Sequence, residues 1–206
     1  MKQFKDYFDC VPCLETERLL LRPFRREDMK EYFEILRDNR VQKYLGGGVP
    51  LFDKEPHITN WLNNINDRLL KRKLVFTWCV EDKGNKKAIG RIDLGGFTKK
   101  TVAEISYHYA YQSWGQGFAT EAAARVTAFG MNELGLKRIQ GIVQIENKAS
   151  IRVLEKNGYL QEGVLRHYPF GREFHDVAML AIVKTETSIP VYRTNGNLKQ
   201  SGRANG

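Results

Sequence analysis

The stretch Gln112-Ser-Trp-Gly-Gln-Gly-Phe-Ala-Thr-Glu121 concentrates residues whose types and spacing could do chemistry. Gly115 and Gly117 can take backbone angles that other residues resist, which lets main-chain N–H groups converge on one point. Phe118, Ala119 and Thr120 open an apolar-periodic stretch and would add the free N–H groups of a helix's first turn, with its positive dipole end. Such a nest binds phosphate or pyrophosphate. Thr120 occupies the place of the third glycine of a G-x-G-x-x-G fingerprint, and no Gly-Lys-Ser/Thr follows, so neither the dinucleotide motif nor the Walker loop is met. A tight strand-to-helix turn without a ligand would use the same residues.

The cysteines offer less. Cys10-Val11-Pro12-Cys13 has the spacing of a redox pair or of half a zinc site. A redox pair wants a strand-to-helix turn, and a structural zinc wants four ligands. Here no second C-x-x-C or His pair follows, so no metal is expected. Cys79 sits in the apolar run 74–80 and reads as core. An odd cysteine count, and a start (MKQFKDYFDC) without a continuous apolar stretch, lead to the expectation of a reducing, cytoplasmic location.

The chain of 206 residues carries 33 Lys+Arg against 24 Asp+Glu, a net charge of +9. That length suits one domain, and 42% hydrophobic residues is too many for a disordered chain. No uncharged apolar run approaches the ~18–20 residues of a membrane span. The positive excess calls for an anionic partner: nucleic acid, a membrane surface or a phosphorylated cofactor. Lys71-Arg72-Lys73 and Lys99-Lys100 could form a nucleic-acid footprint, but no RNP, KH or helix-turn-helix pattern accompanies them. Nucleic acid is therefore disfavoured, and a membrane is not expected as a partner.

The elements that must position the glycine loop can be read from periodicity. A short apolar strand at 18–24 is followed by a helix over 26–38, with Met29, Tyr32, Phe33 and Leu36 at helical spacing. Gly46-Gly47-Gly48 interrupts the chain, and Ile58, Trp61, Leu62, Ile65 and Leu69 mark one stripe of a helix over 56–73. Strands are predicted at 74–81, 87–94 and 102–109. A helix then spans 116–134, a strand 137–145, a helix 148–157, and strands 159–168 and 173–183 form a hairpin. The fold class is α/β, with a mixed, mostly antiparallel central sheet and flanking helices. Residues 1–13 read as an N-terminal arm, 14–184 as a single domain, and 185–206 as a polar, glycine-containing tail without a core.

The run from Glu104 to Ala122 (EISYHYAYQSWGQGFATEA) resembles the acetyl-CoA-binding segment of GCN5-related N-acetyltransferases, the GNAT family. It is most similar to the branch of Rim-type ribosomal-protein N-terminal acetyltransferases. LETERLLLRP at 14–23, LGLKRI at 134–139, NKASIRVLEKNGY at 147–159, Glu162-Gly163 and Gly171 to Asp176 agree in order and spacing. The resemblance covers about residues 14–183. It implies the GNAT fold and an acetyl-CoA-dependent N-acetyltransferase. The acceptor it implies is a protein N-terminal α-amine, as in ribosomal-protein acetylation. Main-chain N–H groups of Gly115, Gln116, Gly117, Phe118, Ala119 and Thr120 would hold the CoA diphosphate. His108, Tyr109 and Ala110 would pair through their backbone with the pantetheine arm, and Asn147 would contact CoA with its side chain.

The resemblance also implies catalytic roles. Glu104, on the strand entering the loop, is the candidate base; the other reading is an edge carboxylate paired with a basic residue. The tyrosine that many relatives carry seven residues after the Asn is Leu154 here. Ser150 is offered instead, as a hydrogen-bond donor to the leaving thiolate or simply as a first-turn helix serine after an Asn cap. Asp176 reads as structural, and Tyr168 and His167 are weak catalytic candidates. The acceptor site would draw on Tyr44, Phe52, Tyr168, Phe170 and Arg172, which favour an acidic or neutral acceptor over a strongly basic one. Three alternatives stay open: a small-molecule amine acetyltransferase, a non-catalytic acyl-CoA sensor and an RNA-binding module. A second copy of the chain is left open as a partner.

Overall fold

Strand β3 (Val75–Asp82) shows why the centre of this molecule is a sheet covered on both sides. Phe76, Trp78 and Val80 point one way, Thr77 and Cys79 the other, and all five are buried. A strand apolar on both faces needs a layer on each. The computed structural model describes residues 4–45 and 55–184. Gly46, Gly47, Gly48, Phe52 and the tail 185–206 lie outside the described residues.

The sheet has eight strands in the order β1-β2-β3-β4-β5-β6-β8-β7. The others are β1 (Leu14–Glu15), β2 (Leu19–Arg22), β4 (Lys87–Thr98), β5 (Val102–Tyr109), β6 (Arg138–Gln144), β7 (Leu160–Phe170) and β8 (Glu173–Val183). Every neighbouring pair is antiparallel except β5 and β6. That parallel pair holds together only at Val102–Arg138, Ala103–Ile139 and Glu104–Gln140. Past Glu104 no further rung joins the two strands, which leaves a wedge between them.

Helices α5 (Phe118–Ala128) and α6 (Lys148–Lys156) cover one face through Phe118, Ala122, Val126, Ile151 and Leu154. The other face receives α1 (Met29–Arg37) and α2 (Asn39–Gln42), which bury Met29, Tyr32, Ile35, Leu36 and Val41. It also receives α3 (Glu55–Asn63), which continues through a widened π turn at Asn64–Arg68 into α4 (Leu69–Lys71). The helix predicted from residue 116 starts at Phe118, because Gly117 adopts a left-handed conformation (φ 83°) that no helical residue shares.

Residues 4–13 are packed rather than loose. Phe8 and Val11 are in the core, and Trp78 Nε1 donates to the Pro12 carbonyl at 2.7 Å. Cys10 and Cys13 are exposed and free, Cys79 is buried and free, and no metal-binding group of side chains occurs among the described residues. Among the described residues no helix is long and apolar enough to cross a membrane.

Candidate active site

The glycine loop is built from below by an ion pair. Arg18, just before β2, bonds Glu121 in the first turn of α5 (Nε to Oε2, 2.7 Å) and donates to the Gln116 carbonyl at 3.0 Å. Its guanidinium also lies 4.5 Å from the centre of the Phe118 ring. Thr16 and the Arg18 main-chain N–H complete the grip on Glu121. Burial raises the pKa of Glu121, but the Thr16 and Arg18 hydrogen bonds outweigh it and hold the carboxyl below its usual range. Gly115 has φ 75°, and a Cβ there would meet nothing within 4 Å, so the loop's outer side is open to a ligand. The first amide past the loop to find a backbone acceptor is that of Glu121, which bonds Gly117 O at 3.0 Å. The amides of Gly117, Phe118, Ala119 and Thr120 have no backbone acceptor among the described residues, as an anion nest requires.

These amides open onto a cavity of about 270 Å³ that Tyr107, Ser113, Trp114, Asn147, Ser150 and Lys156 also line. Its long wall is β5. One edge of β5 is occupied by β4, from Gly90–Tyr109 to Gly95–Glu104, whereas the edge towards β6 is unpaired past Glu104. An extended arm of a ligand can hydrogen-bond there as an added strand would. Asn147 caps α6, its side-chain oxygen accepting from Ser150 N at 3.2 Å, which leaves its N–H₂ for a ligand.

A second cavity, of about 230 Å³, occupies the wedge between β5 and β6. Ser106, His108, Ile142, Gln144, Leu45 and Phe170 line it. Tyr44, Leu45, Tyr107, His108, Asn147 and Ser150 border both cavities, so the two meet at that point. Burial and the nearby Arg91 push His108 down to about 4, so its ring is neutral at pH 7; Tyr32 Oη lies 3.1 Å from its Nε2.

At the junction, the Ser150 hydroxyl donates to Tyr107 Oη at 3.0 Å, and Tyr107 Oη donates to the Ser150 carbonyl at 3.1 Å. Burial pushes the Tyr107 phenol well up, so it stays protonated at neutral pH. Glu104 stands at the last rung of β5–β6 pairing and shares its strand face with Ser106 and His108. Burial raises its pKa, a hydrogen bond from Gln140 opposes this, and among the described residues no cation pairs with it.

Several expected site residues fall outside both cavities. Glu104 lies at the foot of the wedge without lining it, and Ala110 belongs to the core beside α1. The Gln116 side chain turns away to the Gln112 carbonyl at 2.7 Å. Tyr168 pairs with His175 in the β7–β8 hairpin and Arg172 sits in its turn, so of this hairpin Phe170 alone reaches the wedge. Asp176 accepts from the His167 amide at 2.8 Å, a structural contact. Tyr107, Ser106 and Gln144 also line the cavities; Tyr107 and Ser106 lie within the segment 104–122, but nothing in the sequence marks their side chains. Their placement depends on where two strands distant in sequence cease to pair.

Residues 18–160 match the acetyltransferase (GNAT) domain family. This chain belongs to the GNAT family. It is 33% identical over 177 residues to the uncharacterized N-acetyltransferase YoaA of Bacillus subtilis, spanning 84% of this chain and 97% of the relative. A GNAT-family acetyltransferase structure from Bacillus anthracis superposes with a TM-score of 0.71 at 29% identity, covering 84% of this chain and 98% of the other. The ribosomal-protein-S5-alanine acetyltransferase of Vibrio fischeri superposes with a TM-score of 0.74 at 20% identity, covering 86% and 100%. A Vibrio cholerae spermidine N-acetyltransferase, solved with CoA and spermine, gives 0.68 at 23%, covering 82% and 96%. The last two share the fold, and they act on acceptors of different classes. The mixed sheet with flanking helices is the GNAT fold, and the protein is an acetyl-transferring enzyme.

Proposed function

We propose that this GNAT enzyme moves acetyl from acetyl-CoA to the α-amine of a protein N-terminus, with ribosomal-protein-like chains as the substrate class. The observation that carries the choice of acceptor is the lining of the wedge: among the described residues it holds hydroxyls, amides, aromatics and a neutral imidazole, and no carboxylate. Asp93, which Ser106 reaches at 3.3 Å, is paired with Arg91 at 2.9 Å. A polyamine brings several positive charges and calls for unpaired carboxylates along its path; a peptide N-terminus brings one ionisable amine. That amine titrates near ~7.7–8.0 against ~10.4 for lysine, so a weak base suffices to free it.

The donor supplies an activated thioester; the chain's residues do the rest. The amides of the glycine loop hold the diphosphate, and the unpaired edge of β5 aligns the pantetheine arm and polarises the thioester carbonyl. Glu104 takes the amine's proton through water, since Ser106 already stands about 7 Å further along the strand. The Tyr107 hydroxyl, at the junction of the two cavities, turns from the Ser150 carbonyl to donate a hydrogen bond to the sulfur as the carbon–sulfur bond breaks, while the Ser150 hydroxyl goes on donating to Tyr107 Oη. The departing sulfur takes its proton from solvent or from the protonated base.

Thiol release with three acceptors tests this reading: a peptide with a free N-terminus, the same peptide N-terminally blocked but carrying lysine, and spermidine. The free α-amine should give a kcat/KM at least about 10-fold above the other two, and acidic or neutral peptides should outrun basic ones. Faster turnover of spermidine would overturn the reading in favour of a small-molecule amine.

A further inference from the structure

Gln144 closes β6 at the mouth of the wedge. It is 5% exposed, it lines the wedge cavity, and its Nε2 is buried with no hydrogen-bond partner among the described residues. Alternate residues of β6 share a face, so Gln144 stands on the side of Gln140, which is opposite Glu104 in the last rung of β5–β6 pairing. The proposed base thus lies at the foot of the wedge whose mouth Gln144 lines together with Ser106 and His108. An unmet amide N–H₂ in a buried position is costly, and native structures rarely keep one without a reason. The carboxamide is also a two-ended group: a half-turn about its Cγ–Cδ bond exchanges oxygen and nitrogen, so either can be presented to the cavity.

We propose that Gln144 is the specificity-determining residue for the acceptor: its N–H₂ takes the carbonyl oxygen next to the reacting amine. The substrate class is then an α-amino carbonyl compound, in which two carbons separate the amine nitrogen from the accepting oxygen. The Gln144 oxygen can meet one amine N–H while its nitrogen meets that carbonyl, and the amine lone pair stays free for the thioester. A polyamine or simple alkylamine has no acceptor at that place and leaves Nε2 unpaired. A site with an unmet polar group rejects such an analogue more strongly than an apolar pocket rejects a wrong shape. The inference rests on the reading above that the acceptor amine enters between β5 and β6.

The test compares L-alaninamide with 3-methylbutan-2-amine, close in shape but without the carbonyl, at rates normalised to the free-base amine. The wild-type enzyme should prefer alaninamide by about 10-fold, the size of one hydrogen bond left unmade. Gln144→Leu should bring this preference to within about 2-fold of unity, mainly through KM. Gln144→Glu keeps the shape, removes the donor and should do the same, which guards against a folding defect in the leucine variant. CoA affinity of both variants reports that the donor site is intact. No wild-type preference, or a preference that survives both substitutions, overturns the proposal. Preference for alaninamide without acetylation of any peptide would sink the protein-N-terminus reading and leave the role of Gln144 standing. Peptide acetylation with an unaltered preference in the variants would do the reverse, and spermidine turned over faster than alaninamide would overturn both.

Discussion

Glu104 and Tyr107 are three residues apart on β5 and serve opposite sides of the sheet. Glu104 stands at the foot of the proposed acceptor wedge, and Tyr107 bonds Ser150 of α6 where the two cavities meet. Burial keeps a carboxylate basic in the first case and a phenol protonated in the second. Glu104→Gln should lower kcat by about 10²-fold and remove the acid limb of the kcat–pH profile, which in the wild type lies above the ordinary carboxylate range. The same substitution should raise Tm at pH 8. A carboxyl whose folded pKa is raised binds its proton more tightly when folded, so stability is lost as pH rises through that pKa, and Gln removes the loss. At pH 4 and below the gain should vanish, which thermal melts at the two pH values would show. Tyr107→Phe and Ser150→Ala should each reduce kcat by about 10-fold with little change in CoA affinity. The double variant should be no worse than about 10-fold, because the two hydroxyls act through one hydrogen-bonded pair; additive losses would mean independent roles. Leu154 could not replace them. It is 1% exposed, and its Cδ1 lies 2.7 Å from where a Cβ on Gly141 would stand, so that position is core.

At the scale of elements, the proposed anion site, the loop and the first turn of α5, is held by the residue that precedes β2. Arg18 and Glu121 join elements more than a hundred residues apart in sequence, and Arg18 ties down the Gln116 carbonyl of the loop. Glu121→Gln should weaken CoA binding several-fold and lower Tm at pH 7. Glu121's folded pKa is depressed, so its contribution is present above the unfolded value near 4.5 and is lost as pH falls through the folded one. The difference in Tm between wild type and variant should therefore shrink below about pH 4, and an unchanging difference would assign the effect to packing. The loop itself was legible in the sequence, because Gly115 and Gly117 announce positive φ values that the structure has at 75° and 83°. So were most helices and strands, since Met29, Tyr32 and Leu36, and likewise Ile58, Trp61 and Ile65, recur at helical spacing. The Arg18–Glu121 brace was not legible, because nothing local says that two charged residues so distant in sequence will meet.

At the scale of the whole molecule, one topological fact organises the site. A sheet of otherwise antiparallel pairs contains a single parallel pair, and that pair separates after three rungs. The separation frees the edge of β5 towards β6 and opens the wedge, with Asn147, Ser150 and Tyr107 where the two cavities meet. Strand positions could be read from apolar runs, but the point of divergence could not, because register between β5 and β6 is a long-range property. For the same reason Ser106 and Gln144 escaped notice as site residues, while Tyr168 and Arg172, chosen for their chemistry, lie in the hairpin outside the wedge. The positive charge of +9 suits an anionic donor at the glycine loop without any call for nucleic acid. The central claim is that donor and acceptor enter this one split from opposite sides. A crystal structure with CoA covalently linked through its sulfur to a peptide N-terminus tests it most directly. The account predicts the pantetheine along the free edge of β5, and the first peptide residue between Ser106 and Gln144 with its carbonyl on the Gln144 amide. A peptide leaving the cleft on the α5–α6 side, with the wedge between β5 and β6 empty, would contradict it.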